Sequence, residues 1–501
     1  MPLLRNLELK FILKLEMLPK GLMFITTLQE LKLSTMSRSL EIINNDLFRD
    51  LCMEKAEEEN FLKFIQPSLI ENSGNSLDVT LVASVPRRIA IHPGKKDVHL
   101  KGDHPQLRSL LLIQEEVFIN FHISNFKNFK LLRVLKLTRN VRKWHVLGEI
   151  GNLHHLRYLR LKCTGEMILP CAIGKLKNLH TLHLQCHSVG VPDGEFKLER
   201  LRQFVIKVGS VLNIKSGLGS VLNIKSGFLL WRSFSLKNIE TLKYMLVDKK
   251  LVENNEVLKM TQIQCLGIIF TSSNDVKSTL LLMIKLDRLR SLSMFVEKSS
   301  PFPYLGLLSY LGSFSYLDLE PLFQFAHLSK LKLVGHLKED PHQSHHVLKF
   351  LPQSIVKLTL ECSTMTQDPM EVLGNLPCLT ILILSSFAYM GRKMICSANS
   401  FHQLHSFYIN KATNLEEWEI QEGAMPRLRI LSLSFNFKLE MLPGLRYITT
   451  LKKLMLRRMP SSLIKRIEVI GEKEGEDFYK VRHIPSIQIS EIIYGRGYFY
   501  I

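Results

Sequence analysis

Few side chains in this sequence stand where they could do chemistry. Three histidines lie in Pro341-His342-Gln343-Ser344-His345-His346, but no cysteine or carboxylate stands at a recognised metal-ligand spacing from them. The run reads as a solvated loop, and His154-His155, just before a strand, reads the same way. Cysteines at 52, 163, 171, 186, 265, 362, 378 and 396 form no Cys-x-x-Cys pair. That usage points to reduced, mostly buried thiols in a cytosolic protein. The acidic run Glu472 to Asp477 reads as a terminal solvated loop. No phosphate-cradling Gly-x4-Gly-Lys-Ser/Thr loop occurs. With no nucleophile, base and orienting group brought together by a motif, the expectation is a protein without catalytic residues, cofactor or metal.

The remaining chemistry is charge. Lys+Arg number 66 against 46 Asp+Glu, a formal net charge of +20. Residues 1–100 hold 13 of each sign, so the whole excess lies beyond them. No apolar run reaches the roughly 18–20 residues of a membrane helix. The N-terminal stretch, broken by Glu8, Lys10, Lys14 and Glu16, lacks the apolar centre of a secretory signal. No Asn-x-Ser/Thr sequon supports a glycosylated ectodomain.

The elements that must carry this charge come from one repeat. Leu-x-x-Leu-x-Leu recurs at Leu107-Leu110-Leu112, Leu132-Leu135-Leu137, Leu156-Leu159-Leu161 and Leu179-Leu182-Leu184, with a looser copy at Leu201-Phe204-Ile206. It resumes at Ile263-Leu266-Ile268 and Leu289-Leu292-Met294, then runs from Leu328-Leu331-Leu333 to Leu451-Leu454-Leu456. A hexamer returning every 20–29 residues defines the leucine-rich repeat. The end of each hexamer forms a short strand whose leucines point inward, and stacking the coils buries what one coil leaves exposed. The fold class is therefore α/β: a leucine-rich-repeat solenoid with a parallel concave sheet. Between strands, the shared Ile-Gly-x-Leu turns predict short helices ended by Gly151 and Gly174 in a left-handed conformation. A verbatim duplication, Gly209–Gly217 and Gly219–Gly227, and a possible extra strand, Phe314-Leu317-Leu319, interrupt the period.

In-register stacking would align the variable strand positions. Lys136, Arg160 and His183 then form a basic column on the concave face, with Lys162 and Lys207 two residues further along their strands. Later strands place Ser293, Thr359, Ile383, Tyr408, Ser432 and Met455 at the equivalent position. The expected partner-binding residues are therefore Lys136, Arg160, His183, Lys162, Lys207 and Tyr408. Such a column attracts an acidic protein surface or, less favoured here, nucleic acid.

The ends differ from the middle. Residues 1–36 copy residues 425–459: Lys14-Leu15-Glu16-Met17-Leu18-Pro19 repeats Lys438-Leu439-Glu440-Met441-Leu442-Pro443, and Ile25-Thr26-Thr27-Leu28 repeats Ile448-Thr449-Thr450-Leu451. Asn45 or Asp46 would cap a helix in which Leu47, Phe48 and Leu51 share a face. The domains expected are an orphan copy of terminal repeats (1–43), a short helical segment with a linker (44–104), the repeat domain (105–466) and a tail (467–501).

These residues resemble the coiled-coil class of plant nucleotide-binding leucine-rich-repeat disease-resistance proteins. Arg49-Asp50-Leu51-Cys52 through Asn60-Phe61-Leu62 is similar to the end of their nucleotide-binding module, and Arg87-Arg88-Ile89-Ala90-Ile91-His92 to their entry into the repeats. Asp368-Pro369-Met370, Gly391-Arg392-Lys393-Met394-Ile395-Cys396-Ser397, Leu415-Glu416-Glu417-Trp418 and the segment from Glu476 to Ser486 resemble their late repeats and tail. The family's Met-His-Asp nucleotide sensor corresponds here to Asn44-Asn45-Asp46. That junction reads as one receptor's tail joined to the remainder of another. The resemblance implies a recognition module for defence. Its partner would be a related receptor's nucleotide-binding domain, a pathogen effector or the effector's host target. Alternatives are part of an ADP/ATP-dependent switch whose nucleotide-binding domain these residues lack, a receptor ectodomain, or a ubiquitin-ligase adaptor docking through a helix at 44–65.

Overall fold

The computed structural model describes residues 6–10, 30–34, 63–65, 76–80, 87–91, 97–101, 105–112, 121–123, 126, 129–139, 141–190, 198–208, 237–247, 256–270, 274–296, 319–337, 339, 346–470 and 473–490. The chain divides into two compact units, 1–241 and 242–501. In the first, the strands Lys63–Ile65, Arg88–Ile91, Ser109–Leu112, Val134–Arg139, Tyr158–Cys163, Thr181–Cys186 and Gln203–Val208 pair side by side, each parallel to the next. In the second, the parallel series runs through Cys265–Phe270, Ser291–Val296, Lys330–Val334, Lys357–Glu361, Ile381–Ser385, Ser406–Asn410, Ile430–Ser434, Lys453–Arg457 and Ser486–Ser490. Both units are leucine-rich-repeat solenoid.

The hexamers set this register because their apolar positions oppose one another from coil to coil, most often leucine to leucine. Leu135 pairs with Leu159, and Leu159 with Leu182, which in turn faces Phe204. Leu107, Leu132, Leu156, Leu179 and Leu201 lie beneath, each fully buried. The strand Thr181–Cys186 alternates half-buried and buried positions, and Tyr158–Cys163 does so from Leu159 onward, as a sheet with one apolar face requires. Truncating any one of these leucines to alanine would cost about 2–5 kcal/mol, because neighbouring coils hold the cavity open.

The sheet begins earlier than the hexamers suggest. Lys63–Ile65 and Arg88–Ile91 already belong to it, with Ile89 pairing with Leu110. Both lie in the span 44–104 that reads from sequence as a helix and linker. Residues 44–62, where the helix itself falls, are outside the described residues; its C-terminal end at 63–65 is strand. The 10-residue duplication and Phe314-Leu317 also lie outside the described residues. Near the N-terminus, Asn6–Lys10 and Glu30–Ser34 pair in parallel from Asn6 opposite Glu30. This is the same register in which Ile430–Ser434 meets Lys453–Arg457.

Coils carry a second short strand where sequence reading expects only one. Lys143–His145, Glu166–Ile168 and Ser188–Gly190 form a lateral parallel ladder, as do Lys393–Cys396 and Glu417–Ile420. Their central residues, Trp144, Met167 and Val189, and likewise Met394 and Trp418, are buried. The return segments are single-turn 3-10 helices such as Gly148–Asn152 and Cys171–Lys175, or short α-helices such as Asn274–Met283 and Met370–Gly374.

Gly151 and Gly174 lie inside these 3-10 turns, and among the described residues only Gly335 and Gly423 are left-handed glycines. The sequence expectation of left-handed helix ends is therefore corrected. Gly151 is glycine for space: a Cβ there would lie 2.7 Å from the Ala172 carbonyl oxygen and 2.8 Å from its Cβ. Neighbouring turns pack backbone against backbone at this point.

The tail closes the second unit. Ser486–Ser490 adds beside Lys453–Arg457. Buried Asp477 anchors it with hydrogen-bonded ion pairs to Arg466 at 2.7 Å and Lys480 at 2.9 Å. Burial alone would raise the Asp477 pKa; the Arg466 and Lys480 contacts outweigh it and hold the carboxyl below its ordinary range. Asp477, read from sequence as the end of a solvated acidic run, is thus a buried anchor.

Gly151→Ala is expected to lower folding stability by about 1–3 kcal/mol in urea denaturation. Gly148→Ala, three residues away with nothing within 4 Å of its Cβ position, is expected to be neutral or to gain up to about 1 kcal/mol. Equal losses at both positions would refute the close-approach account.

Candidate functional site

Parallel pairing assigns each variable strand residue to a row across the sheet. In the first unit Arg160 stands directly opposite Lys136 on one side and His183 on the other. Leu111 precedes this row and Val205 follows it. All three basic residues are half-buried, flanked along their strands by inward leucines. The Arg160 guanidinium donates through Nη2 to Gln185 Oε1 at 3.4 Å, while its buried Nε has no hydrogen-bond partner.

Lys162 and Lys207 belong to the adjacent row, in the order Thr138, Lys162, Gln185, Lys207. Gln185 therefore separates the two lysines. One step further along, the Arg139 guanidinium lies 5.6 Å over the Trp144 ring, and burial lowers its pKa. Tyr408 belongs to the second unit, between Ile383 and Ser432 in a row that continues to Met455 and Gln488. That row also contains Lys332, between Ser293 and Thr359, which sequence reading left out. Lys332 is neutralised by Glu361 at 2.8 Å and sits 5.6 Å over the Phe295 ring.

A more regular basic feature lies at the entry edge of the first unit's strands. The Arg108 amide donates to the Arg87 carbonyl at 2.7 Å, and Arg133 to Arg108 at 2.7 Å. Arg157 bonds to Arg133 at 2.8 Å, His180 to Arg157 at 2.8 Å and Arg202 to His180 at 2.9 Å. One residue per coil is thereby fixed in a single file. The file continues to Glu240, whose amide donates to the Arg202 carbonyl at 2.8 Å and whose carboxylate pairs with the Arg202 guanidinium at 3.4 Å. The crowding is felt next door: burial, then the charges of Arg108, Arg87 and Arg133, lower the Arg88 pKa. The signal was present in the sequence as Leu-Arg at the head of the hexamers: Leu107-Arg108, Leu132-Arg133, Leu156-Arg157 and Leu201-Arg202. The strand's alternation does not mark it, because this residue stands before the strand begins.

In the second unit a different column follows the strands. Cys362, Ser386, Lys411, Phe435 and Arg458, each the first residue after its strand, all take left-handed backbone angles with φ between 49° and 60°. A bulky residue is rare there. The turn repeats because the amide at this corner bonds to the next coil, Lys411 to the Ser434 carbonyl and Phe435 to that of Arg457. It brings Arg458 4.9 Å and Lys411 5.9 Å from the Phe435 ring.

Of the histidine run only His346 is described. Its Nδ1 accepts from the Leu348 amide at 3.2 Å, capping the turn Val347–Phe350. Burial lowers its pKa, with Glu339 and Asp368 opposing. Among the described residues no three His, Cys, Asp or Glu side chains converge on a metal-sized space. Among the described residues no helix is long and apolar enough to cross a membrane.

The family model described as "Leucine-rich repeat region" matches residues 106–481. A probable disease resistance RPP8-like protein 2 of Arabidopsis thaliana is 32% identical over 455 residues, covering 89% of this chain and 45% of that protein. Disease resistance protein RPP8 of the same plant is 30% identical, with the same coverage. This chain thus spans about half the length of the relatives it matches. Among solved structures, a leucine-rich-repeat protein of Leptospira interrogans aligns with 79% of this chain and 89% of its own, at 17% identity and a TM-score of 0.37.

A folded-state pKa below the unfolded value means that His346 contributes stability fully present above the ordinary histidine range and lost as pH falls through it. The urea midpoint is expected to drop between about pH 7.5 and 5.5. His346→Asn, which keeps a capping oxygen, should flatten that slope. An unchanged slope would reassign the effect elsewhere.

Proposed function

Because the chain belongs to the leucine-rich-repeat family and its relatives are plant disease-resistance proteins, we propose that it is a non-enzymatic protein-recognition module of an immune receptor. It acts in the cytosol. Its basic row in the first unit docks an acidic protein surface. The observation that carries this reading is the register that sets Lys136, Arg160 and His183 shoulder to shoulder on half-exposed strand positions. Repeat arrays bind through such sheet faces because each coil contributes one side chain per row at a fixed spacing of about 5 Å. A protein partner is favoured over nucleic acid because the exposed large apolar side chains described in this unit, Leu131 and Leu147, include no aromatic on which a base could stack.

The partner that the relatives' class suggests is the nucleotide-binding module of a related receptor, whose switching the early coils would restrain. Nucleotide exchange itself would be that module's work. A ligase-adaptor role draws less support, since Lys63–Ile65 is sheet and not the end of a docking helix. The second unit's rows, mixed polar and apolar around Tyr408, suit a separate contact.

The test is binding in trans between this chain and the isolated nucleotide-binding module of an RPP8-like relative. Lys136→Glu with Arg160→Glu is expected to weaken the complex roughly 10- to 100-fold at low salt, mostly through slower association. Affinity that stays the same at low salt would discard the basic row as the docking surface.

A further inference from the structure

The neighbouring strands Tyr158–Cys163 and Thr181–Cys186 both end on cysteine. Lys162 stands opposite Gln185, so the next step along the two strands sets Cys163 beside Cys186. Both thiols are free and buried, on the inward face that carries Leu161 and Leu184. The row continues to Arg139 on one side and Val208 on the other, so among the described residues no third thiol joins the pair. Packing asks only for a small apolar residue at this position, and the next coil has Val208 there. The two cysteines add a proton-sharing contact. The Cys186 thiol hydrogen-bonds to Cys163, whose Sγ donates to the Gly165 carbonyl at 3.3 Å.

This relay makes the two thiols unequal. The hydrogen bond from Cys186 holds the Cys163 pKa below the ordinary thiol value, although burial pushes the other way. The Cys186 thiol keeps its proton while it donates, and the contact with Cys163 and burial both push its pKa up. One sulfur is thus poised as a nucleophile and its neighbour as the thiol that resolves the oxidised product. The backbone allows a bond between them. Adjacent parallel strands lie about 4.8 Å apart, within the roughly 4.4–6.8 Å between α-carbons that a disulfide spans. Thr164, Gly165, Glu166 and His187, which follow the two cysteines, are half-buried. A small uncharged oxidant therefore reaches the pair from this corner without opening the leucine core.

We propose that Cys163 and Cys186 are a peroxide-responsive dithiol that closes into a reversible disulfide between neighbouring coils. In the first step the Cys163 thiolate attacks one oxygen of hydrogen peroxide. The O–O bond breaks, Cys163 becomes a sulfenic acid, and the departing hydroxide takes up the proton that Cys163 released. In the second step the Cys186 sulfur attacks the sulfenic sulfur. The S–O bond breaks, and the hydroxide leaves as water with the Cys186 proton. Two thiols give up two electrons in all, and one peroxide becomes two waters. A thiol reductant reverses the bond. The disulfide closes a loop of a single coil and ties together the strands on which Arg160 and His183 stand opposite one another. It does so whatever that row binds.

The reduced full chain would be treated with hydrogen peroxide, blocked with iodoacetamide and digested for mass spectrometry. The expected product is a peptide pair linked through Cys163 and Cys186, two hydrogens lighter than the reduced peptides and restored by dithiothreitol. Oxidation of the exposed Cys171 and Cys378 reports that peroxide has acted. The linkage is expected to raise the melting temperature by roughly 5 °C, and neither Cys163→Ser nor Cys186→Ser should show that rise. In Cys186→Ser, peroxide should leave Cys163 as a sulfenic acid that dimedone traps; in Cys163→Ser, Cys186 should stay unmodified. Oxidised Cys171 and Cys378 without the linkage would overturn the proposal, and so would linkage of Cys163 or Cys186 to any other cysteine. Equal dimedone labelling of the two single variants would overturn the assignment of Cys163 as nucleophile. The linkage map is read on the unaltered chain, so it decides the matter even where a serine variant fails to fold.

Discussion

One constraint governs this molecule: a coil cannot bury its own leucines. Each hexamer places its leucines on the inward face of a short strand, and burial is complete only when the coils before and after are in register. Apolar packing and the parallel hydrogen-bond ladder therefore demand the same alignment. A slip by one residue would turn leucines outward and drive Lys136 or Arg160 into the core. The variable positions inherit an order they do not themselves impose.

That inheritance explains what the sequence made legible. The hexamers alone place Lys136, Arg160 and His183 in one row, since a repeated leucine pattern already states which residues oppose each other. The same logic separates Lys162 from Lys207, because Gln185 belongs to the strand between them. Three things stayed hidden. The strand Lys63–Ile65 carries Lys63 where the motif has a leucine, and Arg88–Ile91 has Pro86 three residues before Ile89 where the motif opens on leucine, so the sheet began before the pattern did. Gly151 suggested a left-handed cap, because a chain read one coil at a time does not show Ala172 pressing from the next. Asp477 looked solvated because Arg466 and Lys480 meet it only after the tail folds back.

Charge is arranged differently in the two units. In the second, basic side chains in and beside the rows have partners close by: Lys332 with Glu361, Arg392 with Glu416, and Lys411 and Arg458 around Phe435. Ion pairs so exposed contribute little to stability but silence the surface electrostatically. In the first unit, among the described residues, the arginine file meets no such partner before Glu240. Two surfaces built by one backbone rule thus differ in what they attract, and the difference lies in single residues per coil.

The paired strands Asn6–Lys10 and Glu30–Ser34 repeat, residue for residue, the register of Ile430–Ser434 and Lys453–Arg457. Alignment between two turns of the spiral is therefore written wholly inside those two turns and travels with them. Genetic exchange that moves a whole number of turns leaves every remaining ladder intact, whereas a break within a turn puts the wrong side chains inside. A scaffold of this kind can change length and reading surface quickly, so long as its cuts fall once per period.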